Sequence, residues 1–270
     1  MRDASNAVPC VITTLRKPVS LFMCNTYEYP RPDKGSGRRQ FLRLTSAAAV
    51  AGFAQITFLS GVARADALTR AQRDRMSPQE IIDDMKQGNA RFQKGERKPR
   101  NYLREQRASA AGQYPAAVLL SCIDSRAPAE VIMDLGIGDI FNCRVAGNVE
   151  NTDILGSMEF ACKLSGAKVV VVMGHTACGA IKGAIANAEL GNLTALLDKI
   201  KPAVQATEYS GERSATNYAF VNAVARKNVE LTIGNIRRDS PVLAEMESQG
   251  TIKIVGAMYN LSTGALEFLG

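Results

Sequence analysis

Short apolar runs alternate with helical patterns of apolar residues through most of the chain after residue 76. Four runs have the length of buried strands, and they lie at 116–122, 139–145, 167–175 and 252–259. Patterns with helical spacing lie between them, at 129–135, 154–164, 179–190 and 215–237. Strands that alternate with helices predict an α/β domain whose mainly parallel central sheet is covered by helices on both faces.

Two further segments complete the predicted elements. The stretch SPQEIIDDMKQGNARFQKG begins with Ser77, which is followed by Pro78 and, at the capping-box position, by Glu80. These residues predict the start of a helix whose apolar positions form one packing face. Near the end of the chain, YNLSTGALEFL predicts a turn through residues 262–264 into a last antiparallel strand.

The first 67 residues do not follow this organisation. An arginine pair at 38–39 precedes an Ala-rich stretch, 47–63, which is too short and too polar for a stable membrane span. Small residues follow it in an A-x-A arrangement. We therefore predict that residues 1–67 are a twin-arginine export signal, cleaved or disordered, that the protein is periplasmic or otherwise exported, and that residues 68–270 form one folded domain. A basic amphipathic helix is the alternative interpretation.

The charge balance changes once this signal is set aside. The formal net charge of the whole chain is +7, but residues 1–67 hold nine basic and four acidic residues, and the remainder holds 24 basic and 22 acidic ones. Basic residues are denser between Arg91 and Arg107, where aromatic residues are sparse and no nucleic-acid motif occurs. We interpret this stretch as a solvated helical face and expect no nucleic-acid partner.

Candidate metal ligands follow two of the predicted strands. Cys122 lies in SCIDSR, at the end of the first predicted strand, whereas His175 ends the third strand in GHTACG, which also contains Cys178. Ligands of such sheets bind at the carboxyl ends of the strands. Two thiolates, one imidazole and one open position are typical of catalytic zinc sites. The alternatives are buried thiols or a disulfide for the cysteines, and a satisfied core residue for His175, the only histidine of the chain.

Other motifs carry less chemistry. Cys143 and Cys162 lie inside a predicted strand and a predicted helix, so we interpret them as core thiols. GHTACGAIKG lacks the Gly-Lys-Ser/Thr ending of a phosphate-binding loop, and LGIGDIF is not a dinucleotide fingerprint.

Taken together, these motifs resemble those of the β-class carbonic anhydrases. CIDSR, followed about 50 residues later by HTAC, carries the resemblance, and NARFQKG, CRVAGN, GSMEFA and GAMYNLSTG extend it from Ser77 to the end of the chain. It implies the β-carbonic anhydrase fold and the reversible hydration of CO2 to bicarbonate and a proton by a zinc-bound hydroxide, with one Zn2+ per chain. It also implies a homodimer or higher homo-oligomer, because the family's pocket is completed by a neighbouring subunit. The helix from Ser77 to Lys94 is a candidate arm across that interface.

The resemblance also assigns roles to individual residues. Cys122, His175 and Cys178 match the zinc ligands. Asp124 and Arg126 match a pair in which the aspartate either binds the metal as a fourth ligand, in a closed state, or pairs with the arginine and accepts a hydrogen bond from zinc-bound water. Four further positions match substrate-binding residues of the family: Gln113, Phe141, Ala146 and Gly179.

Three departures from the family pattern affect the expected mechanism. Phe160 lies where the family often has Tyr, which removes a hydroxyl near the pocket. Because His175 is the only histidine, proton transfer must use water, buffer or a carboxylate. Leu119 lies where members that close their own site at low pH have Trp, so we expect the open arrangement, with Asp124 paired to Arg126.

Two other functions remain open at the level of sequence. Hydrolysis of CS2 or COS is known on the same scaffold, and access to the zinc would discriminate it from CO2 hydration. A non-catalytic zinc or redox-sensing protein is the other alternative. Such a protein would not need the pair formed by Asp124 and Arg126, which argues against it.

Overall fold

A five-stranded sheet forms the centre of the domain in the computed structural model, which describes residues 67–269. The prediction of an export signal lies outside these residues. The strands are β1 (Ala117–Ser121), β2 (Ile140–Arg144), β3 (Val169–His175), β4 (Lys253–Tyr259) and β5 (Leu266–Leu269). Their order is β2-β1-β3-β4-β5, and the first four are mutually parallel, whereas β5 runs antiparallel to β4. The predicted α/β fold and its antiparallel last strand are confirmed.

Helices cover both faces of this sheet. Over residues 67–269 they are α1 (Arg70–Arg75), α2 (Pro78–Lys94), α3 (Tyr102–Ser109), α4 (Ala129–Ile132), α5 (Thr152–Glu159), α6 (Gly179–Ile185), α7 (Gly191–Asp198), α8 (Lys201–Ala206), α9 (Tyr218–Asp239) and α10 (Pro241–Ser248). A 3-10 turn, Ala146–Asn148, follows β2, and a π-helical turn, Phe160–Leu164, extends α5. In this part of the chain no helix has both the length and the apolarity needed to cross a bilayer.

Alternation along the strands divides the core between the two faces. Val118 and Leu120 of β1 pack in the same apolar cluster as buried residues of α9. Leu119 packs in a second cluster with the apolar residues of α2. Side chains of a strand point alternately to its two faces, so one fully buried strand serves both clusters. The two layers of helices therefore hold the sheet, and with it the strand ends, in a fixed position.

The close approach of α9 to the sheet depends on two glycines. A Cβ at Gly174 of β3 would lie 2.7 Å from Cγ2 of Val229, and one at Gly256 of β4 would lie 2.9 Å from Cγ1 of the same side chain. Carbon atoms in contact are about 3.5–4.0 Å apart. Both positions therefore need glycine. Because glycine has no side chain, α9 can pass close to the end of β3.

The predicted start of α2 is confirmed, but its expected role is not. The hydroxyl of Ser77 accepts a hydrogen bond from the backbone N–H of Glu80, and the Glu80 carboxylate accepts the N–H of Ser77 in return. The apolar residues Ile81, Ile82 and Met85 are 2%, 4% and 2% exposed and pack against the sheet of their own chain. The apolar face is therefore covered within one chain, and a role of this helix as an arm across an interface stays a prediction.

The basic stretch from Arg91 to Arg107 is a solvated face only in part: Lys94, Lys98, Arg104 and Arg107 are exposed, but three arginines face a buried carboxylate. The carboxylate of Asp134 is fully buried, with Arg91 Nε 2.6 Å from its Oδ2 and Arg97 Nε 3.5 Å from its Oδ1. Arg100, whose side chain is 6% exposed, donates to the carbonyl oxygen of Asp134 and pairs with Glu105. We call Asp134, its three arginines and Glu105 the Asp134 cluster. Arginines are dense here because three of them surround one buried carboxylate, that of Asp134, which lies more than 30 residues further along the chain.

Candidate metal centre

Three potential metal ligands meet at the carboxyl edge of the sheet. Cys122 follows β1 directly, His175 ends β3, and Cys178 precedes α6. Because β1 and β3 are neighbours with Ser121 opposite Met173, the first two residues come to the same level. The Sγ atoms of the two cysteines are 4.0 Å apart, and the three candidate ligand atoms lie within 4.8 Å of one another, all on buried residues.

The imidazole of His175 has one nitrogen engaged and one free. Its Nδ1 is 2.9 Å from the carbonyl oxygen of Thr176, so this nitrogen carries the proton and donates it. Its Nε2 is buried and has no hydrogen-bond partner. A buried nitrogen without a partner is unfavourable, and metal-binding histidines typically donate their other N–H to a carbonyl in this way. The residues present therefore fit a zinc ion.

The turn between the two ligands is held by several backbone contacts. The N–H of Thr176 donates to the carbonyl of Tyr259 at 3.0 Å, and its hydroxyl accepts the N–H of Leu261 at 3.0 Å. Ala177 has a φ of 54°, in the left-handed region that residues with a Cβ rarely adopt. Its N–H donates to Oδ1 of Asn222 in α9 at 2.9 Å. The backbone directly before Cys178 is thus fixed in an unfavourable conformation.

The surroundings of Cys122 are fixed from the side of β2. Arg144, the last residue of β2, donates from Nε to the carbonyl of Cys122 at 2.9 Å. The N–H of Gly147, in the 3-10 turn, donates to the Cys122 sulfur at 3.4 Å. The carbonyl of Gly147 accepts a 2.8 Å hydrogen bond from Nδ2 of Asn228 in α9. Each of these contacts restricts the position or the charge of one sulfur ligand.

The two sulfur atoms differ in acidity when no ion lies between them. A hydrogen bond from Cys178 is the main cause that lowers the pKa of Cys122 to about 4, against the opposing effect of burial. The pKa of Cys178 is raised because its thiol donates that hydrogen bond and is itself buried. One thiolate is therefore favoured before binding, and the second proton leaves when a cation binds. Burial raises the pKa values of Cys143 and Cys162, the latter to about 12, so neither thiol ionises near neutral pH.

Asp124 and Arg126 form a bidentate ion pair beside these ligands. Oδ1 of Asp124 accepts from Nε and from the backbone N–H of Arg126, both at 2.9 Å, and Oδ2 accepts from Nη2 at 2.7 Å. These bonds lower the pKa of Asp124 to about 2, although burial opposes them. Oδ2 also lies 3.8 Å from Nε2 of His175. An ionised acceptor is thus held next to the ligands by an arginine.

Two of the four predicted substrate residues, Ala146 and Gly179, lie at this edge. Phe141, by contrast, lies opposite Val118 near the amino end of β2, and its ring meets that of Phe160 edge to face, with centroids 6.2 Å apart. Ala146 opens the 3-10 turn, and Gly179 directly follows Cys178 as the exposed first residue of α6. Ala146 and Gly179 therefore add no charge to an edge that already carries Asp124, Arg126 and Arg144.

Gln113 is not brought to the site within one chain. It is exposed and precedes β1, whereas Cys122 follows β1. A strand of five residues is about 16 Å long, so the two residues lie at opposite edges of the sheet. The glutamine could contact a metal centre only in another copy of the chain.

Sequence reasoning missed the residues that hold the two ligand turns. Arg144 and Gly147 lie in CRVAGN, a motif that was noticed without a role for either residue. Asn222 and Asn228 lie in α9, more than 40 residues beyond Cys178, with no motif around them. Only the packing of α9 against the sheet reveals their contacts.

The geometry defines an α/β protein with a candidate Cys2His metal centre at the carboxyl edge of its sheet. A family model described as carbonic anhydrase matches residues 117–266. The chain is 33% identical to carbonic anhydrase 2 of Mycobacterium tuberculosis over 186 residues, which cover 67% of this chain and 87% of that protein. The chain therefore belongs to the carbonic anhydrase family.

Solved structures agree with this assignment. A tetrameric β-carbonic anhydrase from the ascomycete Sordaria macrospora matches with a TM-score of 0.52 and 27% identity, over 60% of this chain and 83% of that one. A β-carbonic anhydrase of Aspergillus fumigatus matches with a TM-score of 0.52 and 31% identity, over 60% of this chain and 78% of that one. The fold is that of the β class.

Proposed function

We propose that this protein catalyses the reversible hydration of CO2 to bicarbonate and a proton, with one zinc ion per chain held by Cys122, His175 and Cys178. The observation that carries the proposal is the buried set of two sulfurs and an unpaired imidazole nitrogen within 4.8 Å. Three protein ligands leave one position of a tetrahedral zinc ion for chemistry. When bound there, zinc lowers the pKa of a water molecule towards about 7 and so supplies hydroxide at neutral pH.

Asp124 and Arg126 act as a pair in this proposal. An ionised carboxylate can only accept hydrogen bonds, and Arg126 already engages both of its oxygens. Each carboxylate oxygen can accept two hydrogen bonds, so Oδ2 retains capacity on the side of His175, 3.8 Å from Nε2. Asp124 can therefore orient a reacting O–H group, while Arg126 keeps the carboxylate from taking the open position. The observed ion pair supports the open arrangement.

Substrate binding rests on the apolar character of the neighbouring residues. CO2 carries no net charge, so small or apolar neighbours such as Ala146 and Gly179 suit it better than charged ones. Phe160, which contacts Phe141, contributes a ring without a hydroxyl. Gln113 lies at the far edge of its own sheet, which supports an assembly in which the glutamine serves the site of another copy. The assembly proposed is a homodimer or a higher homo-oligomer.

Export is a separate part of the proposal. The arginine pair at 38–39 and the Ala-rich stretch that follows it support a bacterial twin-arginine route to the periplasm. Such a route exports folded protein, so zinc would be bound in the reducing cytoplasm and would protect both thiolates in an oxidising compartment. Replacing Arg38 and Arg39 by Lys should leave zinc-loaded protein in the cytoplasm. Normal export of that double variant would refute the route.

The reaction is tested by stopped-flow measurement of CO2 hydration on the purified protein. We expect about one zinc per chain, loss of activity when a chelator removes it, and recovery when zinc is added back. A fully zinc-loaded, folded protein that does not accelerate CO2 hydration would refute the proposal and would favour the non-catalytic alternative.

A further inference from the structure

Helix α9 contacts both turns that surround the sulfur ligands, although it supplies no ligand itself. One is the turn between His175 and Cys178, and the other is the 3-10 turn Ala146–Asn148, which donates a hydrogen bond to Cys122. These turns follow different strands, β3 and β2. A single rigid helix that binds both turns can fix the position of one sulfur relative to the other.

The first contact acts on the backbone next to Cys178. Oδ1 of Asn222 accepts the N–H of Ala177 at 2.9 Å. Ala177 is held at a φ of 54°, and a residue with a Cβ leaves this region readily when nothing retains it. Loss of the acceptor would therefore let the turn relax, and Cys178, the next residue, would move with it.

The second contact acts on the donor to Cys122. Nδ2 of Asn228, a buried residue, donates to the carbonyl of Gly147 at 2.8 Å, and the N–H of Gly147 lies 3.4 Å from the Cys122 sulfur. Gly147 has a φ of 72°, and a Cβ on it would lie 2.5 Å from Cδ1 of Ile200. The turn thus fits in one narrow position, and Asn228 holds its carbonyl there.

We infer that Asn222 and Asn228 are positioning residues of the metal centre. Asn222 fixes the backbone that leads into Cys178. Asn228 fixes the turn whose N–H donates to the sulfur of Cys122. The inference rests on the proposed function, because it takes zinc as the ion bound. Groups that orient metal ligands typically change metal affinity by about 10–100-fold when they are removed. We therefore expect zinc release to accelerate at least about tenfold when either contact is lost.

The same substitution has opposite effects at the two positions, which gives a sharp test. Asn222→Asp keeps an oxygen that accepts the N–H of Ala177, whereas Asn228→Asp removes the donor and places a carboxylate against the carbonyl of Gly147. We expect Asn222→Asp to release zinc to a chelator at about the wild-type rate. Asn222→Ala and Asn228→Asp should release it at least about tenfold faster.

A spectroscopic measurement separates positioning from a general loss of structure. With Co2+ in place of Zn2+, the Asn228→Asp variant should shift the sulfur-to-cobalt charge-transfer band to longer wavelength, because the sulfur loses a hydrogen bond that stabilises its electrons. The matched control is Asn235→Ala. Asn235 lies on the same helix and donates to Glu150 at 2.9 Å, and neither residue contacts a metal ligand.

Wild-type release rates in both Asn222→Ala and Asn228→Asp would overturn the inference. Equal acceleration in Asn235→Ala would also overturn it, because the effect would then come from docking of the helix. If Asn228→Asp does not fold, the Ala and Asp variants of partly buried Asn222 decide the question. Wild-type protein that does not bind stoichiometric zinc would instead refute the proposed function. Failure of the proposed function can thus be distinguished from failure of this inference.

Discussion

Asp124 and Asp134 lie at the two ends of the segment that links β1 to β2, and both are largely buried carboxylates that face arginine. Asp124 pairs with one guanidinium, that of Arg126, whose side chain is 60% exposed. Asp134 is fully buried, and each of its oxygens, including the backbone carbonyl, faces at least one arginine of the Asp134 cluster. The pKa of each carboxyl is lowered by its arginine partners, although burial opposes the shift.

The two carboxylates differ in whether an oxygen remains able to accept a further hydrogen bond. Asp134 is enclosed by three cations that also join α2, α3 and the end of α4, so its charge serves to fix the fold. Asp124 keeps an oxygen 3.8 Å from the unpaired Nε2 of His175, at an edge of the sheet where sulfur ligands meet. The same pair of residue types thus stabilises structure at one end of the segment and leaves an acceptor for chemistry at the other.

The largest effect should come from His175→Ala, which tests whether the Asp124 end is a metal centre at all. Loss of one of three protein ligands should remove most of the zinc and, with it, CO2 hydration. Metal analysis and stopped-flow assays measure both. The Asp134 cluster is untouched, so the apo variant should retain its far-UV circular dichroism. Unchanged zinc content would refute the ligand assignment.

Arg126→Ala should separate metal binding from turnover. Without its arginine, Asp124 becomes free to take the open position on the metal, so activity should fall on the order of 10²-fold while zinc is retained. The control is Arg226→Ala, which removes an exposed ion pair with Glu267 and should leave both quantities unchanged. Full activity in Arg126→Ala would mean that the two carboxylates do not differ in the way described.

Asp134→Ala should lower the stability of the fold and leave turnover nearly unchanged, which is the opposite of the effect expected for Arg126→Ala. Removing one partner of a buried charge cluster typically costs about 3–5 kcal/mol, because the remaining charges stay buried without compensation. We expect a loss of this size in the free energy of unfolding, measured in urea, and nearly wild-type turnover per zinc-loaded molecule. Asp198→Ala, which breaks an exposed pair with Lys201, should cost less than about 1 kcal/mol. Strong loss of turnover in folded Asp134→Ala would break the comparison.

The smallest expected effect is a difference in pH dependence between the activity of the metal centre and the stability that Asp134 contributes. Activity should fall below neutral pH with the slope of one ionisation, because zinc supplies hydroxide near pH 7. The pKa of Asp134 is lowered, so its contribution to stability is complete above the unfolded value of about 3.9 and is lost only as the pH falls further. The difference in unfolding free energy between wild type and Asp134→Ala should thus stay constant from pH 5 to 8. A steep, cooperative loss of activity that added bicarbonate deepens would instead indicate a self-closing site.

The strands and the ligand set could be predicted because both depend on local sequence. Apolar runs predicted β1 to β4 to within two residues at each end. Cys122 and His175 end two of those runs, and Cys178 follows three residues after the second. Residues 179–190 were predicted as one helix, but α6 ends at Ile185. Asn187 and Gly191 adopt positive φ there, and α7 begins as a separate helix. Such breaks leave no strong signal in composition.

Contacts between distant segments could not be predicted in the same way. The arginines of the Asp134 cluster precede their acid by more than 30 residues, and their density looked like that of an exposed surface. The placement of Gln113 follows from the direction of β1, which only the sheet topology defines. The contacts of Asn222 and Asn228 require that Val229, between Gly174 and Gly256, bring α9 close to the sheet. Pattern reasoning located the ligands but not the groups that hold them.

Because His175 is the only histidine, the protein carries its own isolated reporter for nuclear magnetic resonance. Protein made with 15N-labelled histidine should give one pair of ring-nitrogen resonances. The Nδ1 nucleus, whose proton is donated to Thr176, should keep the shift of a protonated nitrogen whatever the metal content. The Nε2 nucleus should change its shift on chelation. Occupancy of the metal centre could therefore be followed inside intact cells from a single resonance, without purification or an added dye.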